Sequence, residues 1–174
     1  MLNGTNIFLV AAIHNYFSMF PSDKITILDF GGACGSHYFE TRRLFPHDAN
    51  LKWIVTETPG MVESARIHGI ETEELVFIDE LKKIDNPIAF VHSSGALQYV
   101  PDPWVYLKQL MDLNPKYMLF NRMMFNENDR TFVTIQKSRL SENGPGPMPE
   151  KYNDRVITYP HTTISYKEFT NIIT

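Results

Sequence analysis

Asp29-Phe30-Gly31-Gly32-Ala33-Cys34-Gly35 decides how this chain is read, because it closes a short apolar run, Lys24 to Phe30 (KITILDF), and opens a helical one. A strand that passes through a glycine turn into a helix is the opening unit of an α/β sheet, and ligands collect beyond the carboxyl ends of such strands. Gly31 and Gly32 allow a tight turn and a close approach of backbone to ligand, while Gly35 allows close packing as the helix begins. A dinucleotide site would use G-x-G-x-x-G and bare N–H groups to hold a pyrophosphate. Here the order is G-G-x-x-G behind a carboxylate. Asp29 would repel pyrophosphate, but it suits a nucleoside that carries an ammonium group.

Working outward, Leu51 to Glu57 (LKWIVTE) reads as a second strand and Met61 to His68 as its helix. Val76 to Asp79, Ile88 to Ser93 and Lys116 to Arg122 follow as strands three to five. Pro103 to Leu113 is a helix between the last two, and the helix after the glycine turn runs from about Ser36 to Phe45. The expectation is five β/α repeats on one parallel sheet. Glu57 ends strand two, 22 residues after Gly35, where an acid can accept both ribose hydroxyl protons. Asp79 ends strand three, placed to accept from an adenine amino group, with Phe77 and Ile78 beside the base. Three acids at three successive strand ends agree with one ligand, S-adenosyl-L-methionine.

The flanks are less regular. Ile7 to Phe20 reads as a helix capped near Thr5, apolar on most sides, which predicts burial on more than one side, through a homodimer contact or through neighbouring sequence outside this stretch of chain. It falls short of the roughly 20 residues that span a bilayer, and it lacks the marks of a signal peptide. Beyond Arg122, Thr131 to Lys137 reads as a strand, Glu142 to Pro149 (ENGPGPMP) as a loop, and Ser165 to Thr174 as a helix with a Ser165/Glu168 capping box.

The 174 residues suit one domain, 1–174. Sixteen basic against twenty acidic residues give a net charge of −4, which disfavours nucleic acid as a partner. Cys34 is the only cysteine, which excludes an intramolecular disulfide and a multi-cysteine metal site and fits the cytoplasm; no metal site is expected.

The glycine turn and its acids resemble the class I S-adenosylmethionine-dependent methyltransferases, and His92 to Pro103 (HSSGALQYVPDP) resembles the segment after their fourth strand. LDFGGACGSHYFETR, WIVTETPGMVESAR, SSGALQYVPDPWVYL, NRMMF and DRTFVTIQK together are similar to the methyltransferase family of the Leptospira LIC-type proteins, over about Ile25 to Tyr166. The resemblance implies a Rossmann-like sheet and a cofactor site of Asp29, Gly31, Gly32, Gly35, Glu57 and Asp79, with Ser93 and Ser94 flanking the methionine part. It also implies a small-molecule or glycan-linked acceptor and a place in polysaccharide biosynthesis. That fold ends in an antiparallel strand pair, and this chain is expected to stop before it, truncated at its C-terminus.

Methyl transfer rests mainly on alignment of acceptor and methyl group. Residues near strand ends four and five are the candidates to contact or activate the acceptor: Gln98, Tyr99, Asp102 and Arg122, with His37, Tyr159 and His161 from elsewhere. Gln98 is also assigned to the cofactor. Cys34 reads as a small apolar filler, His14 and His68 as packing or solvent residues, and Tyr16, Phe17 and Phe20 as an entrance to the acceptor pocket. A nicotinamide-dependent oxidoreductase or epimerase, and a non-catalytic cofactor-binding domain, are the competing readings.

Overall fold

The computed structural model describes residues 6–21, 23–127, 129–143 and 152–174. They divide into two compact units, Met1–Arg122 and Met123–Thr174, each treated by itself. The first contains α1 (Ile7–Met19), β1 (Ile25–Phe30), α2 (Ser36–Arg42), β2 (Leu51–Thr56), α3 (Pro59–Ile67), β3 (Leu75–Ile78), β4 (Phe90–Ser94), α4 (Pro103–Asp112) and β5 (Tyr117–Asn121). Its five strands are parallel, in the order β3-β2-β1-β4-β5. The order reverses between β1 and β4, so the crevice of the sheet opens there.

Central strands of a parallel sheet are covered on both faces and read as continuous apolar runs. All six residues of β1 are buried accordingly. Ile25, Ile27, Trp53, Val55 and Phe90 share a core with Leu9, Val10, Ile13 and Tyr16 of α1, Tyr38 of α2, and Val62 and Ala65 of α3. On the other face, Phe30 meets Tyr106 of α4 at 5.5 Å between ring centroids. Asp29 lies on the same side as Ile25 and Ile27, since alternate strand residues share a face. A carboxylate therefore points into the layer that holds α1 and α2.

Several expectations change. The helix after the glycine turn ends at Arg42, short of Phe45, where Arg42 turns back to donate to the carbonyls of Phe45, Pro46 and His47. The crossover from β3 to β4 carries only a single 3-10 turn, Leu81–Lys83, in place of a β/α repeat. The cap of α1 is Asn6, whose side chain accepts from the amides of Phe8 and Leu9; Thr5 lies outside the described residues. In this chain α1 buries one face, and Ile7 and Phe8 on the other are 58% and 72% exposed.

The second unit contains β6 (Phe125–Asn126), β7 (Phe132–Arg139), β8 (Val156–Ser165) and α5 (Tyr166–Ile173). They form a separate sheet, β6-β8-β7, in which β7 and β8 are antiparallel over eight residue pairs. Strand β8 was not foreseen, because Pro160 is a poor strand residue, and most of the expected loop at 142–149 lies outside the described residues. Among the described residues the five-stranded sheet carries no antiparallel strand; the antiparallel pair β7 and β8, which the sequence reading did not foresee, belongs to the second unit. The capping box at α5 is only half formed. Ser165 Oγ accepts from the Glu168 amide, but Thr131 intervenes, accepting from the Ser165 amide and donating to the Glu168 carboxylate at 2.6 Å. No helix among the described residues is long and apolar enough to cross a membrane.

Candidate functional site

A cleft of about 450 Å³ lies at the carboxyl ends of β1, β2, β3 and β4, within the size range of small-molecule sites. Gly31, Thr56, Glu57, Asp79, Ser94 and Tyr99 are among the residues that line it. Gly31 has φ +71°, donates its amide to Thr56 O at 2.9 Å, and lies so near the loop after β4 that an added Cβ would sit 2.2 Å from Ala96 Cβ. Gly35, at φ +77°, packs on Phe77 and Leu75 as the sequence suggested. Gly32 has a different reason from the one expected. A Cβ there would stand 2.5 Å from Asp29 Oδ2, so the residue makes room for the carboxylate beneath it.

Asp29 does not face the cleft. It is fully buried, and both oxygens are engaged. Oδ1 pairs with His92 Nδ1 at 2.9 Å, while Oδ2 pairs with His37 Nδ1 at 3.1 Å and accepts from Trp53 Nε1 at 3.3 Å. Burial alone would raise its pKa; the hydrogen bonds and charge of His37 and His92 outweigh that and hold it at about 2. His37 is raised in turn, chiefly by Asp29 and against its own partial burial. His92 is held from the far side as well: Asn6 Nδ2 lies 3.0 Å from His92 Nε2 and donates to Asn121 Oδ1 at 2.7 Å. Since Asn6 Oδ1 is committed to the start of α1, its amide nitrogen must face His92. His92 is thereby set as the tautomer with its proton on Nδ1, directed at Asp29. Asp29, His37 and His92 have the composition of a metal site, but His92 Nδ1 spends its lone pair on that proton, and the cluster is a hydrogen-bonded one.

Glu57 lines the cleft and closes it against the glycine turn. Oε1 accepts from the Ala33 amide at 3.0 Å and Oε2 from the Thr58 amide at 2.9 Å, leaving a further lone pair on each oxygen. Asp79 lines the cleft beside its salt bridge to Lys83, which lowers its pKa. Ser94 lines the cleft, whereas Ser93 is buried behind it with an unpartnered Oγ. Thr56 also has a buried Oγ1 with no hydrogen-bond partner, and it belongs to the cleft wall. Gln98 is buried in the 3-10 turn Leu97–Tyr99, and Tyr99 is 48% exposed. Arg122 directly follows β5 with φ +53°, and Gly95 would place a Cβ 3.7 Å from its Cβ.

Other assignments move. Phe77 is 1% exposed and belongs to the core, so it offers no face to a base. Cys34 is exposed instead of filling an apolar gap. Tyr16 meets Tyr117 and Lys116 at the opening of β5, the opposite end of the sheet from the cleft, so it does not line an acceptor entrance. Asp102 caps α4 by accepting from the Trp104 and Val105 amides. Tyr159 and His161 lie in β8, in the second unit. Reading by sequence missed His92, Trp53 and Asn6. His92 could be found only from strand order, because its register with Asp29 exists once β4 is laid beside β1.

No family model and no curated protein matches this chain. Solved structures do. An amino pentose methyltransferase from Micromonospora echinaspora involved in calicheamicin biosynthesis, with S-adenosylmethionine bound, superposes with TM-score 0.57 at 14% identity over 98% of this chain and 83% of its own. The fold is that of the class I S-adenosylmethionine-dependent methyltransferases. A methyltransferase of Clostridium acetobutylicum (TM-score 0.54, 10% identity, 94% of this chain and 77% of that one) has the same architecture. So does a glycopeptide N-methyltransferase complexed with S-adenosylmethionine (0.53, 11%, 92% and 73%). At these identities the likeness is one of fold.

Proposed function

We propose that this chain is an S-adenosylmethionine-dependent methyltransferase acting on a small-molecule or glycan-linked acceptor. The observation that carries the reading is the pair Glu57 and Asp79, at the ends of adjacent strands, lining one cleft with Gly31 and Ser94 at the switch point of a class I sheet. Two carboxylates suit the hydroxyl and amino donors of an adenosine and oppose a pyrophosphate. The unpartnered Thr56 hydroxyl in the wall adds a polar group that a ligand could satisfy. The cofactor therefore fits the residues present, and when bound it supplies a methyl group on a sulfonium.

The chain's own part is positional. Glu57, pinned at both oxygens by backbone amides, holds a fixed orientation toward ribose hydroxyls. Asp79 would accept from the adenine amino group, and the Ser94-Gly95-Ala96 turn, in the same cleft wall, would hold the methionine part. Tyr99 at the rim is the acceptor contact. The neighbours that act on an amino pentose and a glycopeptide support a glycan-linked acceptor and a role in polysaccharide biosynthesis. The narrower kinship with the Leptospira LIC-type proteins rests on the sequence segments alone. A reduced Cys34 fits a cytoplasmic setting, and the exposed face of α1 would serve a homodimer.

Calorimetric titration with S-adenosylhomocysteine tests this reading. Binding is expected in the wild type, weakened about 10- to 100-fold in Glu57→Ala, the scale of a lost charged hydrogen-bond acceptor. Absence of binding by the folded protein, or tighter binding of a nicotinamide dinucleotide, would overturn it.

A further inference from the structure

We propose that His37 and Arg122 form a carboxylate-binding site beside the cleft, filled by the amino-acid carboxylate of the cofactor or by a carboxylate on the acceptor. The proposal rests on the methyltransferase reading and deepens it by assigning the chemistry of one end of the site.

Four observations carry it. The first is a continuous hydrogen-bonded chain, His37 to Asp29 to His92 to Asn6 to Asn121, which crosses the switch point from the start of α2 to the end of β5. Arg122 is the next residue after Asn121, so the network runs from the His37 side chain to the residue that precedes Arg122. Second, the outward nitrogens are open. His37 spends Nδ1 on Asp29, and Nε2 has no hydrogen-bond partner among the described residues. Arg122 has neither an ion pair nor a side-chain hydrogen bond with any described residue. Third, Arg122 holds a left-handed backbone, φ +53°, which costs a non-glycine residue about 1 kcal/mol or more and occurs preferentially at functional positions. The turn is held by the Gly95 amide, which donates to Asn121 O at 2.9 Å, and Gly95 lines the cleft.

Fourth, the charges are arranged for an anion. Asp29 is covered completely and satisfied by ring N–H groups, so it screens His37 from below without competing for a ligand above. Arg122 stands against Gly95 of the cleft wall, where an added Cβ would lie 3.7 Å from its own, and its charge opposes that of His37 until an anion lies between them. A guanidinium grips a carboxylate bidentately, and an imidazolium adds one directed N–H. Glu40 also acts on His37, favouring its charged form.

The test uses two nucleoside probes and two sugars on wild type, His37→Gln and Arg122→Gln. S-adenosylhomocysteine carries the amino-acid carboxylate; 5′-methylthioadenosine shares its adenosine and sulfur but lacks it. If the site holds the cofactor's carboxylate, each variant weakens S-adenosylhomocysteine about tenfold or more and leaves methylthioadenosine unchanged. If it holds the acceptor's, the nucleosides are unaffected, and glucuronate, titrated with and without S-adenosylhomocysteine, binds the wild type more tightly than methyl glucoside and loses that advantage in both variants. The proposal is overturned if no carboxylate-bearing probe is selectively weakened, or if methylthioadenosine falls as far as S-adenosylhomocysteine. Arg122 is exposed, so Arg122→Gln keeps the test valid should His37→Gln unfold. Failure of the methyltransferase reading looks different: the wild type then binds neither nucleoside, and glucuronate alone reads the site.

Discussion

Replacing Asp29 with asparagine is expected to destabilise the protein by about 3 kcal/mol and to lower its melting temperature by roughly 10 °C, although the two side chains have the same shape. The carboxylate faces three N–H groups, on His37, His92 and Trp53, and offers oxygen to all of them. An amide presents one oxygen and one NH2. Whichever way it turns, an N–H meets an N–H. His37 can shift its proton to Nε2 and accept instead, but Trp53 has no such freedom, and the tautomer of His92 is held by Asn6. A buried donor is left without a partner in every arrangement. Differential scanning calorimetry measures the loss, and a melting temperature within 2–3 °C of wild type would refute the account.

The same substitution should change the pH dependence. A carboxyl lowered from 3.8 to about 2 stabilises the fold above pH 4, and that contribution disappears as the pH falls through 2. Its size is about 2 kcal/mol, and much of it is the same interaction that raises His37, so the two are not summed. The His37 part has the opposite sense: it is present below pH 6.5 and is lost as the pH rises through the raised folded value. Asp29→Asn should remove both dependences and shift the His37 NMR titration downward.

Gly31→Ala is expected to cost roughly 2–5 kcal/mol, from two separable sources. An alanine at φ +71° loses about 1–2 kcal/mol, and the methyl group, 2.2 Å from Ala96 Cβ, forces the loops after β1 and β4 apart at a further cost of about 1–3 kcal/mol. Ala96→Gly in the same chain removes the second source and keeps the first. Urea unfolding of the two single variants and the double should therefore show a coupling of about 1–3 kcal/mol. Strict additivity would mean that the loops yield without resistance. Because Gly31 and Ala96 both line the cleft, the single variant should also lose affinity for S-adenosylhomocysteine.

Much of the sheet is visible in the sequence because buried parallel strands are nearly uninterrupted apolar runs. Lys24 to Phe30 and Leu51 to Glu57 mark β1 and β2 to within a residue or so. Helix ends are less visible: α2 stops where Arg42 donates to the carbonyls of Phe45, Pro46 and His47, side-chain contacts within five residues that apolar periodicity does not reveal. Strand β8 was hidden by Pro160, tolerated in a sheet too small to offer many central positions. In the cleft, Gly31, Glu57, Asp79 and Ser94 lie where strand ends predict. Asp29 does not, because the sequence shows a carboxylate at a strand end without showing which face of the sheet it takes or that two histidines and a tryptophan are waiting there. Partners 63 and 86 positions apart, Asp29 with His92 and Asn6 with His92, come together only through topology.

Asn6 joins two things that are usually separate. One side chain starts α1, through the amides of Phe8 and Leu9, and closes the ring of contacts around His92. The first turn of that helix cannot fray without releasing the imidazole, nor can the imidazole reorient without loosening the turn. Solvent exchange at two main-chain protons near the beginning of the chain is therefore a remote gauge of the state of the crevice, readable without any label placed inside it.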